Sequence, residues 1–251
     1  MSLVGLYPYV LWMMLLLAPV VFLVLFFISA PYGRFNRQGW GPSIDNRVGW
    51  VVMEAPASLL VAYFMVTRMD LDSVTLVFLL LWQSHYFYRA FLYPFTLNGV
   101  KRMPLLIPLM AILFNSVNAY LMSYHFVLNP DLYDASWFST PFFIGGTCLF
   151  GLGYYITRQS DAILRRLRKA DESGYKIPHG SLYRFVSCPN YLGEIIQWAG
   201  WAILTWSPAG LVFLIWTLAN LVPRAVSHHQ WYKETFSDYP QDRKALLPFV
   251  L

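Results

Sequence analysis

The sequence predicts an all-α integral membrane protein with seven transmembrane helices, its N-terminus outside and its C-terminus cytoplasmic. Composition is the first reason, because 57% of the 251 residues are hydrophobic and only 12% are charged, which is too apolar for an ordinary soluble domain. The second is that several apolar stretches approach or exceed the roughly 20 residues that a helix needs to cross a bilayer core. The third is an alternation of basic and nonbasic loops.

Seven apolar stretches define the predicted helices in chain order. They cover residues 7–30, 49–67, 73–96, 104–124, 140–157, 191–206 and 209–223. The first stretch runs toward Pro31 without a basic start or a small-residue cleavage site, so we expect a retained membrane helix and not a signal peptide. The last two are short and separated by Ser207 and Pro208, which predicts a tight helical hairpin buried against the others.

Lysine and arginine orient the chain, because they concentrate in cytoplasmic loops. The predicted cytoplasmic regions are about 31–48, 97–103, 158–190 and the tail 224–251. The intervening loops contain only Arg68 or no basic residue, and an odd number of spans fits this alternation. The net charge of +5 is spread over membrane-linked loops, which argues against a nucleic-acid partner. We expect a single domain, residues 1–251, in a bacterial inner membrane, surrounded by lipid and monomeric.

Several common functional sites are excluded by their missing motifs. Cys148 lies in a predicted span and Cys188 in a loop, so no disulfide is expected, and the lack of CxxC or HExxH motifs argues against a metal site. No GxGxxG or GxxxxGK[ST] motif is present, which excludes a Rossmann domain and a P-loop. If a nucleotide binds, arginine side chains on loops must hold its phosphates.

Glu54 is the most informative single residue, because a carboxyl group in an apolar span is costly and marks a functional site by default. Tyr86, Arg89 and Tyr93 follow the spacing i, i+3, i+7 on the third span, and His85 lies four residues before Arg89. This spacing predicts one polar stripe facing the protein interior. Glu54 and Tyr86 both fall in the cytoplasmic half of the membrane.

A second group of polar residues gathers at the predicted cytoplasmic side, at helical spacings of three or four. Its members are Asp161, Arg165 and Arg168, then Asn190 and Glu194, and finally Arg224, His228 and Tyr232. Each alone would be an ordinary exposed helix end. Their common location below Glu54 and Tyr86 indicates a polar cofactor beneath an apolar substrate.

These motifs resemble the steroid 5-alpha-reductase family over nearly the whole chain. The resemblance is strongest in SDAILRRLRKADESGYKIPHGSLYRFVSCPNYLGEIIQW and in RAVSHHQWYKETFSDYPQDRKALLPFVL, and MEAPA and SHYFYRAFLYP match in order and position. PNYLGE alone is less specific, because related membrane reductases and isoprenylcysteine methyltransferases share similar motifs.

The resemblance implies that Glu54 and Tyr86 bind the C3 carbonyl of a 3-oxo-Δ4 steroid and that NADPH occupies the cytoplasmic mouth. The implied cofactor positions are Asp161, Arg168, Tyr175, Lys176, Asn190, Glu194, Arg224, His228 and Tyr232, with Arg34, Lys101 and Arg102 near the phosphates. Two residues depart from the family pattern. Thr157 stands where asparagine is expected, and Lys176 stands where arginine is expected. A lysine at 176 lacks the guanidinium group that could bind a phosphate with two parallel hydrogen bonds.

The implied chemistry is hydride addition to C5 of the conjugated enone, which pushes negative charge onto the C3 oxygen. Tyr86 and a neutral Glu54 form a suitable donor pair for that oxygen, whereas an ionised Glu54 would accept instead of donate. Three alternatives stay open: a related reductase of polyprenols or enoyl-CoA lipids, an isoprenylcysteine-type methyltransferase, and a nonenzymatic lipid-binding scaffold.

Overall fold

The structure is a computed structural model that describes residues 3–29, 31, 33–35, 39–69, 71–97, 102–167 and 174–251. Seven α-helices lie within these residues. They are α1 (Leu3–Phe27), α2 (Asn46–Arg68), α3 (Ser73–Phe87), α4 (Leu106–Leu128), α5 (Pro141–Arg166), α6 (Pro189–Thr205) and α7 (Pro208–Thr235). The predicted mostly helical architecture is therefore observed, with one helix for each predicted apolar stretch.

The helices begin where the sequence supplies caps. Asp45 accepts hydrogen bonds from the backbone N–H groups of Arg47 and Val48 at the start of α2, at 2.8 and 3.3 Å. Asp72 does the same for α3, and proline occupies the first position of α5, α6 and α7. Proline is tolerated there because the first N–H groups of a helix have no partner inside the helix.

Within the residues that the structure describes, four helices are long and apolar enough to cross a membrane: α1, α2, α4 and α7. The other three differ for separate reasons. α3 and α6 have only 15 and 17 residues, and the end of α5 is polar, with Arg165 and Arg166 in its last turn. The count of seven spans and the orientation therefore stay predictions, whereas the apolar helices support an integral membrane protein.

Two helices continue past their predicted membrane spans. α5 runs beyond 157 to Arg166, and α7 runs beyond 223 to Thr235. Both continuations agree with the helical spacing of the polar residues that follow each span. α7 passes through Pro223, and its last three turns place Arg224, His228 and Tyr232, the C-terminal polar ladder, on one helical face.

A small antiparallel ribbon joins two loops and was not predicted. Strands β1 (Ser43–Asp45) and β2 (Arg102–Pro104) pair Ile44 with Met103. Arg102 reinforces the ribbon because its Nε donates to Ser43 Oγ at 2.9 Å. The ribbon ties the residues just before α2 to those just before α4.

α5 and α6 approach closely through glycines. A Cβ atom on Gly153 would overlap the backbone nitrogen of Gln197, and one on Gly193 would lie 2.5 Å from Thr157 Oγ1. Small residues allow helix backbones to approach in membrane proteins. The contact brings the start of α6 beside the polar end of α5.

At the far end of α6, the predicted hairpin is observed, with Ser207 Oγ accepting from Gly210 N at 3.0 Å.

Candidate active site

Glu54, Arg89 and Glu194 form a buried charged triad contributed by three parts of the chain. Arg89 Nε donates to Glu54 Oε1 at 3.2 Å, and Arg89 Nη1 donates to Glu194 Oε1 at 2.9 Å. The two carboxyl side chains are only 11% exposed. Arg89 thus links the candidate catalytic residue on α2 to a candidate cofactor residue on α6.

The charges of this triad do not balance if both glutamates are ionised. One guanidinium then faces two carboxylates, leaving a net negative charge in a largely buried site. One proton shared between the carboxyl groups restores neutrality, as in other buried carboxyl pairs. Glu194 has the shorter contact with Arg89 and is the better ionic partner. The geometry therefore permits the neutral Glu54 that the implied chemistry requires, even though Glu54 contacts an arginine.

Tyr86 lies on α3 near this triad, and its side chain is buried in an aromatic cluster. Its ring centroid is 4.7 Å from that of Trp82 and 5.7 Å from that of Trp198. The Tyr86 hydroxyl is close enough to Glu54 and Arg89 for electrostatic interaction. Rigid aromatic packing fixes the direction of the Tyr86 side chain, which suits a hydrogen-bond donor that must be held in place.

A second polar contact between α3 and α6 lies one helical turn from the triad. His85 Nδ1 and Gln197 Oε1 are 3.2 Å apart, and both side chains are buried. Because His85 precedes Arg89 by four residues and Gln197 follows Glu194 by three, the two contacts are successive rungs between the same helices. The expected polar stripe on the third helix does face the protein interior.

The end of α3 departs from regular α-helix where Arg89 lies. Residues Tyr88–Leu92 form a π-helical turn, followed by a 3₁₀ turn at Tyr93–Thr96. A π turn inserts an additional residue and is frequent at functional sites. The guanidinium carbon of Arg89 lies 5.0 Å from the centre of the Trp50 ring, so this turn also brings Arg89 against an aromatic side chain of α2.

Arg34 lies in an aromatic box on the predicted cytoplasmic side. Its guanidinium carbon is 4.3 Å from the ring centre of Trp231, 4.5 Å from that of Tyr232 and 5.0 Å from that of Tyr175. Arg34 Nη2 also donates to the Tyr232 hydroxyl at 3.1 Å. Three predicted cofactor residues, Arg34, Tyr175 and Tyr232, are thus brought together from distant parts of the sequence.

His228 and Arg224, one and two turns before Tyr232 on α7, contact a different tyrosine. The Tyr191 hydroxyl lies 3.1 Å from His228 Nε2, and Arg224 Nη2 donates to the same hydroxyl at 3.4 Å. The Phe35 ring packs against His228 with centroids 5.1 Å apart. The predicted ladder on the C-terminal helix therefore faces the loop that contains Arg34.

Asp161 and Asn190 form the third part of this polar region. Asn190 Nδ2 donates to Asp161 Oδ1 at 3.4 Å, and Thr157 Oγ1 donates to the Asn190 carbonyl at 3.2 Å. Burial raises the pKa of Asp161 to about 6, and the positive charge of Arg89 partly opposes this rise. Thr157, one of the two departures from the family pattern, holds the first turn of α6 in place.

The remaining predicted cofactor residues differ in position. Arg102 bonds to Ser43 across the ribbon, and Lys176 is exposed. Lys101 and Arg168 lie outside the described residues. The described structure therefore gathers most of the predicted residues, whereas Arg102 has a structural task in the ribbon.

Sequence reasoning missed three side chains that take part in these clusters. Asn115 on α4 donates to the Met53 carbonyl at 2.6 Å and also interacts with the Glu54 carboxyl group. Asparagines in an apolar span, Asn115 and Asn118, were a signal that the sequence offered. Gln197 shares a helical face with Glu194 and was readable in the same way. Trp231 gave no signal, because tryptophan is common at membrane interfaces regardless of function.

The fold and site define a helical membrane protein with a buried charged triad and an adjoining cluster of arginines and aromatic rings. A family model described as 3-oxo-5-alpha-steroid 4-dehydrogenase matches residues 101–251. Steroid 5-alpha-reductase DET2 of Arabidopsis thaliana is 40% identical over 253 residues, covering 97% of this chain and 96% of the relative. The rat 3-oxo-5-alpha-steroid 4-dehydrogenase 1 is 39% identical, covering 89% of this chain and 87% of the relative.

The chain belongs to the 3-oxo-5-alpha-steroid 4-dehydrogenase family, also called the steroid 5-alpha-reductases, and is an oxidoreductase. The human 3-oxo-5-alpha-steroid 4-dehydrogenase 1 is a further relative, 37% identical over 88% of this chain. The resemblance inferred from the motifs is thus confirmed.

Proposed function

We propose that this protein reduces the Δ4 double bond of 3-oxo-Δ4 steroids with NADPH, giving 5α-reduced 3-oxosteroids. The observation that carries the proposal is the sharing of Arg89 between Glu54 and Glu194, close to Tyr86. This arrangement supports one neutral carboxylic acid beside a phenol, which is the donor pair that an enolate oxygen needs. Family membership supports the substrate class.

The residues of the predicted cytoplasmic side fit a dinucleotide phosphate. Arg34 Nη1 and His228 Nδ1 are buried and have no hydrogen-bond partner among the described residues. Guanidinium groups suit phosphate oxygens, and the rings of Tyr175 and Trp231 suit stacking. Arg34, Arg224 and His228 would hold the phosphates, and Asp161 and Asn190 would bind polar groups of the same cofactor.

Glu54 and Tyr86 act on the C3 oxygen of the steroid. Arg89 Nε donates to Glu54 Oε1, which makes Oε1 the carbonyl oxygen of the neutral acid and leaves the proton on Oε2. That proton and the Tyr86 hydroxyl then both donate to the C3 oxygen. Fixed donors stabilise charge that develops in the transition state, and loss of one typically costs about 10²–10³ in rate.

When bound, NADPH supplies the hydride that adds to C5. The electron pair of the C4–C5 double bond then forms a C3–C4 double bond, and the pair of the carbonyl moves onto the C3 oxygen. Glu54 and Tyr86 hold the resulting enolate oxygen by hydrogen bonds. Water supplies the proton that adds to C4 as the carbonyl reforms.

We place this chemistry in a single domain, residues 1–251, that crosses the bacterial inner membrane seven times. The N-terminus lies outside, and the Arg34 cluster faces the cytoplasm, where NADPH is available. The alternation of basic loops supports this orientation.

Glu54→Gln and Tyr86→Phe test the proposal in detergent-solubilised protein by NADPH oxidation with progesterone or testosterone. Each variant should lose about 10²–10³ in kcat, because each removes one donor to the developing oxyanion. NADPH affinity should stay within about threefold of wild type, because neither residue is placed among the phosphate-binding groups.

Glu234→Gln and Tyr63→Phe are matched controls, because both side chains are exposed and lie away from the triad. They should retain wild-type turnover. Unchanged turnover in both Glu54→Gln and Tyr86→Phe would contradict the mechanism. Turnover of an enoyl-CoA in place of the steroids would contradict the substrate class while preserving the cofactor assignment.

A further inference from the structure

A second cationic cleft lies between a loop before α6 and the C-terminal segment. Its volume is about 520 Å³, and its lining residues are His179, Gly180, Ser181, Arg184, Pro240 and Arg243. None of the predicted catalytic or cofactor residues lines this cleft. No carboxylate lines it either, within the part of the chain that the structure describes.

Backbone pairing fixes the two arginines of the cleft beside each other. Lys244 N donates to the Phe185 carbonyl at 3.0 Å, and Ser187 N donates to the Lys244 carbonyl at 2.8 Å. Arg184 and Arg243 immediately precede the paired residues of these two segments. The backbone pairing therefore keeps these two cationic residues near each other, and an anion in the cleft would offset their like charge.

Arg243 is the most unusual group of the cleft. It is only 3% exposed, and its Nε and Nη1 atoms are buried without a hydrogen-bond partner among the described residues. A buried guanidinium with unused donors is costly unless a partner satisfies it. Tyr239 packs its ring against Arg243, 5.2 Å from the ring centre, and its hydroxyl also interacts with this side chain, but one hydroxyl oxygen, already bonded to Ser187, cannot satisfy both nitrogens.

His179 adds an imidazole N–H donor to the cleft, and its contact with Arg243 determines which ring nitrogen carries the proton. Arg243 Nη2 donates to His179 Nδ1 at 3.4 Å, which assigns the proton of a neutral imidazole to Nε2. The cleft therefore combines two guanidinium groups with an imidazole N–H. Asp242, next to Arg243 in the chain, is exposed and does not line the cleft.

We propose that this cleft binds a phosphoryl group, from either a soluble phosphate compound or a phospholipid headgroup. Arginine forks match the oxygens of phosphate, and Arg243 has unused donors while Arg184 lies at the exposed rim. The site is separate from the Arg34 cluster, although the two are joined by the stacked rings of Tyr239 and Tyr232, whose centroids are 5.2 Å apart.

The test measures thermal unfolding of the full chain without NADPH. In detergent, sodium phosphate is compared with sodium chloride at equal ionic strength. In nanodiscs, phosphatidic acid in phosphatidylcholine is compared with phosphatidylcholine alone. Binding at ten times the dissociation constant should raise the Tm saturably by roughly 3 °C. A response in detergent identifies a soluble phosphate as sufficient, and a response only in nanodiscs identifies a lipid headgroup.

Arg184→Gln and His179→Gln decide the assignment, because both residues are exposed and their substitution should leave the fold intact. Each should weaken the response at least fivefold, and Arg243→Gln should abolish it if that variant folds. Lys244→Gln is the matched control, because it removes a neighbouring exposed charge that does not line the cleft. Arg34→Gln is the control for binding in the cofactor cluster.

The proposal is overturned if neither phosphate nor phosphatidic acid gives a saturable response in wild-type protein. It is also overturned if Arg184→Gln and His179→Gln respond as wild type does, or if the response disappears only in Arg34→Gln. Loss of NADPH-dependent turnover would not bear on this result, since no cofactor or steroid is present in the measurement.

Discussion

Glu194→Gln is expected to inactivate the enzyme although Glu194 is not placed against the steroid. In the wild-type triad, Glu194 at 2.9 Å is the ionic partner of Arg89, so Glu54 can stay neutral. Once Glu194 is replaced by an amide, Glu54 is the remaining carboxyl group bonded to Arg89. It then ionises and accepts a hydrogen bond where it should donate one.

The distance between Arg89 Nε and Glu54 Oε1 gives the size of the electrostatic attraction that favours ionised Glu54 in this variant. At 3.2 Å, a unit charge pair at an effective dielectric constant of 20 attracts by about 5 kcal/mol. In the wild-type protein the negative charge of Glu194 offsets much of this attraction. A tenfold change in an equilibrium corresponds to about 1.4 kcal/mol, so this attraction works against the cost of ionising a buried carboxyl group and shifts the equilibrium toward ionised Glu54.

The assay is steady-state steroid reduction between pH 5.5 and 8 at saturating NADPH. At pH 7.5 the kcat of Glu194→Gln should fall about 10²–10³-fold, the cost of one oxyanion donor. Turnover should recover partly at acidic pH, where Glu54 regains its proton, whereas Glu54→Gln should show no such recovery. Cofactor binding must be measured separately by fluorescence titration, because Glu194 is also a predicted cofactor residue.

Two outcomes would refute the shared-proton explanation. One is a kcat for Glu194→Gln within threefold of wild type at pH 7.5. The other is a loss of kcat that does not change with pH, which would show that Glu194 acts only by positioning. Glu234→Gln, an exposed glutamate on α7, provides the control for a general effect of removing a carboxyl group.

Two further predictions concern stability. The raised pKa of Asp161, about 6, means that the folded protein holds this proton more tightly than the unfolded chain does. The free energy of unfolding of wild type, relative to that of Asp161→Asn, should therefore fall by about 3 kcal/mol as the pH rises from about 4 to about 6 and then level off. Thermal unfolding at several pH values measures this difference, and a difference that grows with pH would contradict the sign. Gly153→Val should cost more than about 3 kcal/mol, because its side chain would overlap the backbone of α6, whereas Gly151→Val should cost about 1 kcal/mol or less, since a Cβ there meets nothing within 4 Å. Equal Tm values for the two valine variants would show that the α5–α6 contact is not tight.

The positions of the helices were predictable from the sequence, but their ends were not always. The stretch 73–96 is helical throughout, because Asp72 caps its start and its apolar residues fill the interior. The predicted span 209–223 stops at Pro223, because the polar residues after it suggested an exit from the membrane, whereas α7 continues to Thr235. Those polar residues instead contact Tyr191 and Arg34, and tertiary contacts sustain a helix where hydropathy falls.

The composition of the polar clusters was largely predictable, whereas their pairings were not. Asn190, Glu194 and Asp161 could be assigned to one side of the membrane from charge and helical spacing. The partnership of Glu54 with Arg89 depends on a π turn, and the ribbon between Ile44 and Met103 involves strands of three residues. Such short elements carry no periodic signal, because long-range contacts and not local propensity stabilise them.

The pairing of Lys244 and Ala245 with Phe185–Cys188 has a consequence for biosynthesis. Chains fold from the N-terminus as they are made, so a segment must wait for any partner that lies later in the sequence. The segment preceding α6 therefore emerges well before its pairing partner exists. The pairing can form only after α6, α7 and the residues up to Ala245 have been made, so a stop codon placed between α7 and Lys244 would leave all seven helices encoded and this pairing absent.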